Sequence, residues 1–178
     1  MFPIRALALS LVLAPAPVLA ADHVTSPMIL EDFGIFCPRE SSGQREAPGT
    51  ERGFIELIEG EVHPDFFGNI VPGTLDISFG IRFMLEPGQG ERVVDVVTSH
   101  PPMGPTGATE ERYDSIVNDF SASISLFTFD DPYEVVLGEW SFAVELDGVE
   151  VLRKTFVVVP PDDTLVSPAL CRGPSLMM

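Results

Sequence analysis

Apolar and polar positions alternate along much of this chain with the two-residue period of a β-strand. The longest such run is TLDISFGIRFML (74–85). Leu75, Ile77, Phe79, Ile81 and Phe83 share one face, and Asp76, Ser78, Gly80 and Arg82 share the other. ERVVDVVTSH (91–100) is rich in β-branched residues, and DFSASISLFTFD (119–130) is a strand that breaks at Asp131-Pro132. EDFGIFC (31–37) predicts a short first strand. RGFIELIEG (52–60) is apolar on both sides at its centre, as a strand inside a sandwich core can be. Between these runs lie a polar loop, PRESSGQREAPGTE (38–51), and a loop or short edge, HPDFFGNIVPG (63–73). PPMGPTGATEERYDS (101–115) predicts a long irregular connection, and residues 21–30 a mobile lead.

YEVVLGEWSFAVELDGVEVLRKTFVVV (133–159) is a hairpin that turns at Asp147-Gly148. Parity decides its expected register. A two-residue turn pairs Leu146 with Val149 and sends Phe156 to the face opposite Trp140. A three-residue turn, Leu146-Asp147-Gly148, pairs Phe142 with Leu152 and keeps the large side chains together, so it is the expected form. With about seven strands and no long helix, the fold class is all-β: a single antiparallel sandwich over residues 31–159. Phe79, Trp140, Phe142 and Phe156 are the expected core anchors, and residues 160–178 form a tail.

The N-terminus, MFPIRALALSLVLAPAPVLAADHV, reads as a signal peptide. Arg5 precedes an apolar stretch, and Val18-Leu19-Ala20 offers small residues for cleavage after Ala20. The stretch is too short to span a bilayer. The expected location is therefore periplasmic or secreted. The chain has 10 basic and 27 acidic residues, a net charge of −17, and losing Arg5 makes the balance one unit more negative. Nucleic acid and anionic membranes need basic patches, so neither is an expected partner. The charge favours solubility and offers a surface to cations or a basic partner.

Cys37 and Cys171 are the two cysteines, and in an oxidising compartment they are expected to pair. A metal or redox pair would more naturally show CxxC or a neighbouring His, and neither is present. The tail gains a modest apolar foothold from Leu165, Val166 and Leu170, which the bridge would fix.

The sequence offers no reaction. His23, His63 and His100 lack metal-site spacing, and no nucleophile elbow, phosphate loop or dinucleotide fingerprint occurs. No catalytic residue, cofactor or metal ligand is therefore assigned. FDDPY (129–133) and PPDDT (160–164) read as acidic turns, with calcium as the rival use. SHPPMGPTG (99–107) is the candidate binding loop, with His100, Pro101, Pro102 and an exposed Met103. The expected function is that of a non-enzymatic exported domain binding a protein or envelope component, with an envelope or secreted protein as the expected partner. The alternative is a calcium- or glycan-binding module using the acidic loops and Trp140 or Tyr113.

The segments IVPGTLDISFGIRF, HPPMG and FDDPYEVVLGEWSFAVELDGVEVLRKTFVVV together resemble a family of short secreted bacterial domains, DUF3859. That family's pattern has a Tyr-Gly-Ile-Tyr-like strand, an Ile-Pro motif before a Ser-Phe-Gly strand, a Pro-Pro loop, and a terminal Pro-Gly-x-Trp-x-Phe hairpin. Here Phe36 replaces the second Tyr, and Leu137-Gly138 replaces Pro-Gly. The resemblance spans residues 33–159. It implies an immunoglobulin-like sandwich and contributes no catalytic residue.

Overall fold

The structure is a computed structural model describing residues 21–171. The leader with its expected cut after Ala20, and residues 172–178, lie outside the described residues.

Two sheets pack face to face. The larger runs in the order β1 (His23–Val24), β12 (Val149–Val159), β11 (Gly138–Leu146), β8 (Arg92–Met103), β9 (Ala108–Val117). β6 (Ile70–Pro72) joins β12 in parallel. The smaller sheet runs β10 (Ser123–Thr128), β7 (Ser78–Leu85), β2 (Met28–Phe36), β5 (Phe66–Phe67). A separate hairpin pairs β3 (Gly43–Glu46) with β4 (Phe54–Leu57). The all-β antiparallel sandwich stands, with more strands than the seven expected.

The core lies where β7 meets β11 and β12. Phe79 sends its ring edge-on into Trp140, Phe142 and Phe156, with centroids 5.4, 5.7 and 5.4 Å away. All four rings are fully buried. Trp140 Nε1–H donates to the Val136 carbonyl at 2.9 Å, so its polar end is satisfied in the apolar interior. Gly80 sits where β10 presses closest, because a Cβ there would lie 2.0 Å from the Ser125 carbonyl oxygen. The smaller sheet thus closes tightly only because that position carries no side chain.

Several elements differ from the sequence reading. β7 starts at Ser78, not at Thr74, because Asp76 takes a left-handed φ of 64° and Leu75 turns to solvent. The segment 101–115 is not an irregular connection. β8 runs on to Met103, Gly104–Gly107 make a turn, and β9 returns antiparallel. Residues 52–60 do not supply a core strand, since β4 belongs to the outlying hairpin. The lead 21–30 is paired: β1 lies along β12, and β2 already begins at Met28. Asp22 fastens it by accepting from Lys154 Nζ at 2.6 Å and from Thr155 N–H at 2.7 Å.

The terminal hairpin corrects the turn. Leu146 pairs with Val149, so the loop is the two-residue Asp147-Gly148, with φ of 53° and 77°. A register shift after Val144 then absorbs one residue, and Val144 pairs with Leu152. This bulge restores parity, so Trp140 faces Phe156 and Lys154 lies opposite Phe142.

Cys37 and Cys171 form a disulfide with Cα atoms 5.2 Å apart. Cys171 ends a short helix, α1 (Pro168–Cys171). Val166 packs on the core, whereas Leu165 and Leu170 are exposed and give the tail no foothold.

Candidate functional site

β9 and β10 terminate the two sheets, and residues 118–122 join them. The Asn118 side-chain oxygen accepts from the Phe120 and Ser121 N–H groups at 3.0 and 2.8 Å, which tightens that turn. The β3–β4 hairpin lies beside both strands. Gly49 O accepts from Arg112 N–H at 2.9 Å, and Arg45 pairs with Asp114 at 3.1 Å. Between hairpin, β9 and β10 is a cleft of about 410 Å³. Phe54, Leu57, Ile116, Ile124, Leu126 and Phe127 give it an apolar lining. Leu57 and Ile116 are exposed.

Polar groups punctuate this lining. The Tyr113 hydroxyl and Ser125 Oγ meet at 2.8 Å, bridging β9 to β10. Burial pushes the Tyr113 phenol up, so it stays protonated. Five carboxylates line the cleft (Glu56, Glu111, Asp114, Asp130 and Glu134) against two guanidiniums, Arg45 and Arg52. Arg52 is held by Asp130 and by Glu56. Burial pushes the Glu111 and Glu134 carboxyls above the usual glutamate range. Glu111 accepts the Glu51 N–H at 2.9 Å. Glu134 accepts the N–H groups of Asp130 and Asp131 at 2.7 and 2.9 Å.

That last contact explains FDDPY. Glu134 reaches back to close the turn, and Asp130 is spent on Arg52. Among the described residues, no group of three or more His, Cys, Asp or Glu is placed to hold a metal ion. Trp140, buried in the core, presents no face to a sugar.

The candidate loop His100–Met103 is a strand segment, not an exposed loop. Met103 is 2% exposed and belongs to the core. Two prolines cannot donate to the ladder, and the β8–β9 register accordingly breaks between Ser99 and Met103. His100 is buried, with its ring 4.8 Å from that of Trp140. Its Nδ1 donates to the Pro101 carbonyl at 2.9 Å, and its Nε2 is buried without a partner among the described residues.

A second polar cluster lies under residues 60–63. Arg82 is buried yet reaches Asp32 at 2.6 Å, Glu61 at 3.1 Å and Glu31 at 3.4 Å. Its Nη1 also donates to His63 Nδ1 at 2.6 Å. Both terminal nitrogens of the guanidinium are therefore engaged, and this cluster pins the outer loop to β7.

The sequence reading missed the β3–β4 hairpin, β9 and Glu134 as parts of a site. The available signal was the alternation in ATEERYDSIV (108–117), where charged residues mask a strand.

Residues 27–158 match the family described as a domain of unknown function, DUF3859. The chain belongs to this family. No curated protein matches it. Among solved structures it is similar to an immunoglobulin-like protein from Pseudomonas aeruginosa, with 20% identity and a TM-score of 0.47. That similarity covers 79% of this chain and 98% of the other. Among the described residues, no helix is long and apolar enough to cross a membrane.

Proposed function

We propose that this DUF3859 protein is an exported, non-enzymatic binding domain that holds a segment of an envelope or secreted protein in the β9–β10 cleft. The observation that carries this reading is the cleft itself: an open sandwich flank with an apolar lining and exposed Leu57 and Ile116. Such a concavity suits a ligand that brings both apolar and polar groups. The disulfide fits an oxidising compartment, which supports export to the periplasm or beyond. The calcium alternative has no comparable support, given that Asp130 is spent on Arg52, and the glycan alternative loses Trp140 to the core and keeps only Tyr113, whose hydroxyl is engaged by Ser125.

A pull-down from envelope extract with folded, oxidised protein tests the reading. The expected result is a specific partner that Leu57→Glu and Ile116→Glu lose. Both positions are exposed, so folding should survive these changes. Failure to recover any partner, or equal recovery by the variants, would overturn it.

A further inference from the structure

β9 and β10 both stop their sheets, but their outer edges are covered to different degrees. On β9 part of the outward backbone is occupied. Gly49 O takes the Arg112 N–H, Arg45 takes the Asp114 carbonyl, and Ser123 Oγ donates to the Ile116 carbonyl at 3.4 Å. On β10 the direction of each peptide follows from Phe129. Its N–H donates to Ile77 O at 3.0 Å and its C=O accepts from Asp76 N at 3.0 Å, so both groups point at the β7 side. The β10–β7 register continues without a shift from Thr128 to Ser123. Alternation then turns Phe127, Ser125 and Ser123 toward β7, and turns Ile124, Leu126 and Thr128 away. Those three outward residues are the β10 residues that line the cleft with Phe127. The Thr128 carbonyl is taken by Asp130 N–H. The N–H groups of Ile124, Leu126 and Thr128, and the carbonyls of Ile124 and Leu126, have no partner among the described residues.

An unpaired strand edge is a template for another strand, and proteins usually cover or charge it. Here it opens into a cavity lined by apolar side chains and five carboxylates against two arginines, both already paired. We infer that the cleft takes an extended peptide segment of a partner, rich in alternating basic and apolar residues, added as an extra strand to β10. This rests on the binding reading above and names the chemistry of the occupant. Backbone bonds to Ile124 and Leu126 would supply the pairing. Apolar side chains would enter between Phe54 and Ile116, and basic ones would meet the surplus carboxylates. A second copy of this chain is a poor occupant, because its net charge of −17 repels another such molecule.

The probe is an alternating Lys–Val peptide, blocked at both ends, titrated into the full exported chain and followed by backbone amide NMR. The expected shifts centre on Ile124, Leu126 and Thr128. A Glu–Val peptide should bind about tenfold weaker or less. Methylating alternate peptide amides gives two versions. The one blocking the edge turned to β10 should lose about tenfold or more, and the other should retain binding. Leu126→Pro removes an outward N–H together with a lining side chain and should abolish binding while the β7 ladder persists. If that variant unfolds, the methylated pair alone decides. Equal binding of the two methylated peptides, with shifts confined to the cleft's side-chain walls, would reject strand addition and leave the binding reading intact. The inference would also fail if the Lys–Val peptide did not bind, or if the protein alone dimerised with concentration-dependent shifts on β10.

Discussion

Phe79 lies against five aromatic rings at once, those of Phe127, Phe129, Trp140, Phe142 and Phe156, so its loss leaves a hole that no single neighbour can fill. Phe79→Ala should lower the unfolding free energy by about 3–5 kcal/mol, measured by urea denaturation. A change within about 0.5 kcal/mol would mean that the ring is not where it is described. Glu134 makes a prediction about pH. Burial raises its carboxyl in the folded chain, so folding favours the protonated form. That stabilisation is complete below the ordinary glutamate range and is lost as pH rises through the folded value. Glu111 works in the same direction. Glu145 opposes them, because the Arg112 hydrogen bond holds it low, and its contribution fades as pH falls. Glu134→Gln keeps an oxygen for the Asp130 and Asp131 N–H groups and removes the charge. Relative to the parent it should therefore be more stable at about pH 8 than at about pH 4, read from urea midpoints. A difference independent of pH would contradict the buried carboxylate.

At the scale of elements, the terminal hairpin and β9 show what was legible. Strands with an apolar face against the core, β7 and β11 above all, advertise themselves by alternation. β9 lies at a sheet edge with Glu110, Glu111, Arg112 and Asp114 along it, and charges that blunt an edge also erase the apolar signal. The prolines of β8 suggested a loop because their effect, a register break, is a property of the pair of strands and not of one. The hairpin parity argument correctly required Trp140 and Phe156 to share a face. It placed the correction in the turn, whereas the chain places it in a bulge beyond Val144, and either device satisfies the same parity. The turn itself can be tested. Gly148 has a φ of 77°, so Gly148→Ala should cost about 1–2 kcal/mol by urea denaturation. No loss would mean that Gly148 does not hold a left-handed φ. The cleft was illegible because its walls come from residues as far apart as Arg45 and Glu134.

For the whole molecule, the decisive covalent fact is the Cys37–Cys171 bond across a sequence separation of 134. Replacing both cysteines with serine should cost up to about 5 kcal/mol, because the unfolded chain regains the freedom of a very long loop. Thiol titration of denatured, unreduced protein should find no reactive group, and two per chain would reject the bridge. The export reading adds a mass measurement: the mature form should lack Met1 to Ala20. The same bond has a consequence for resistance to proteolysis. Residues 37–171 form a covalent ring. A protease that cuts once in the β3–β4 hairpin or the Gly104–Gly107 turn opens the ring without releasing a fragment. The nicked chain keeps its mass but for one added water, and only reduction lets the halves part.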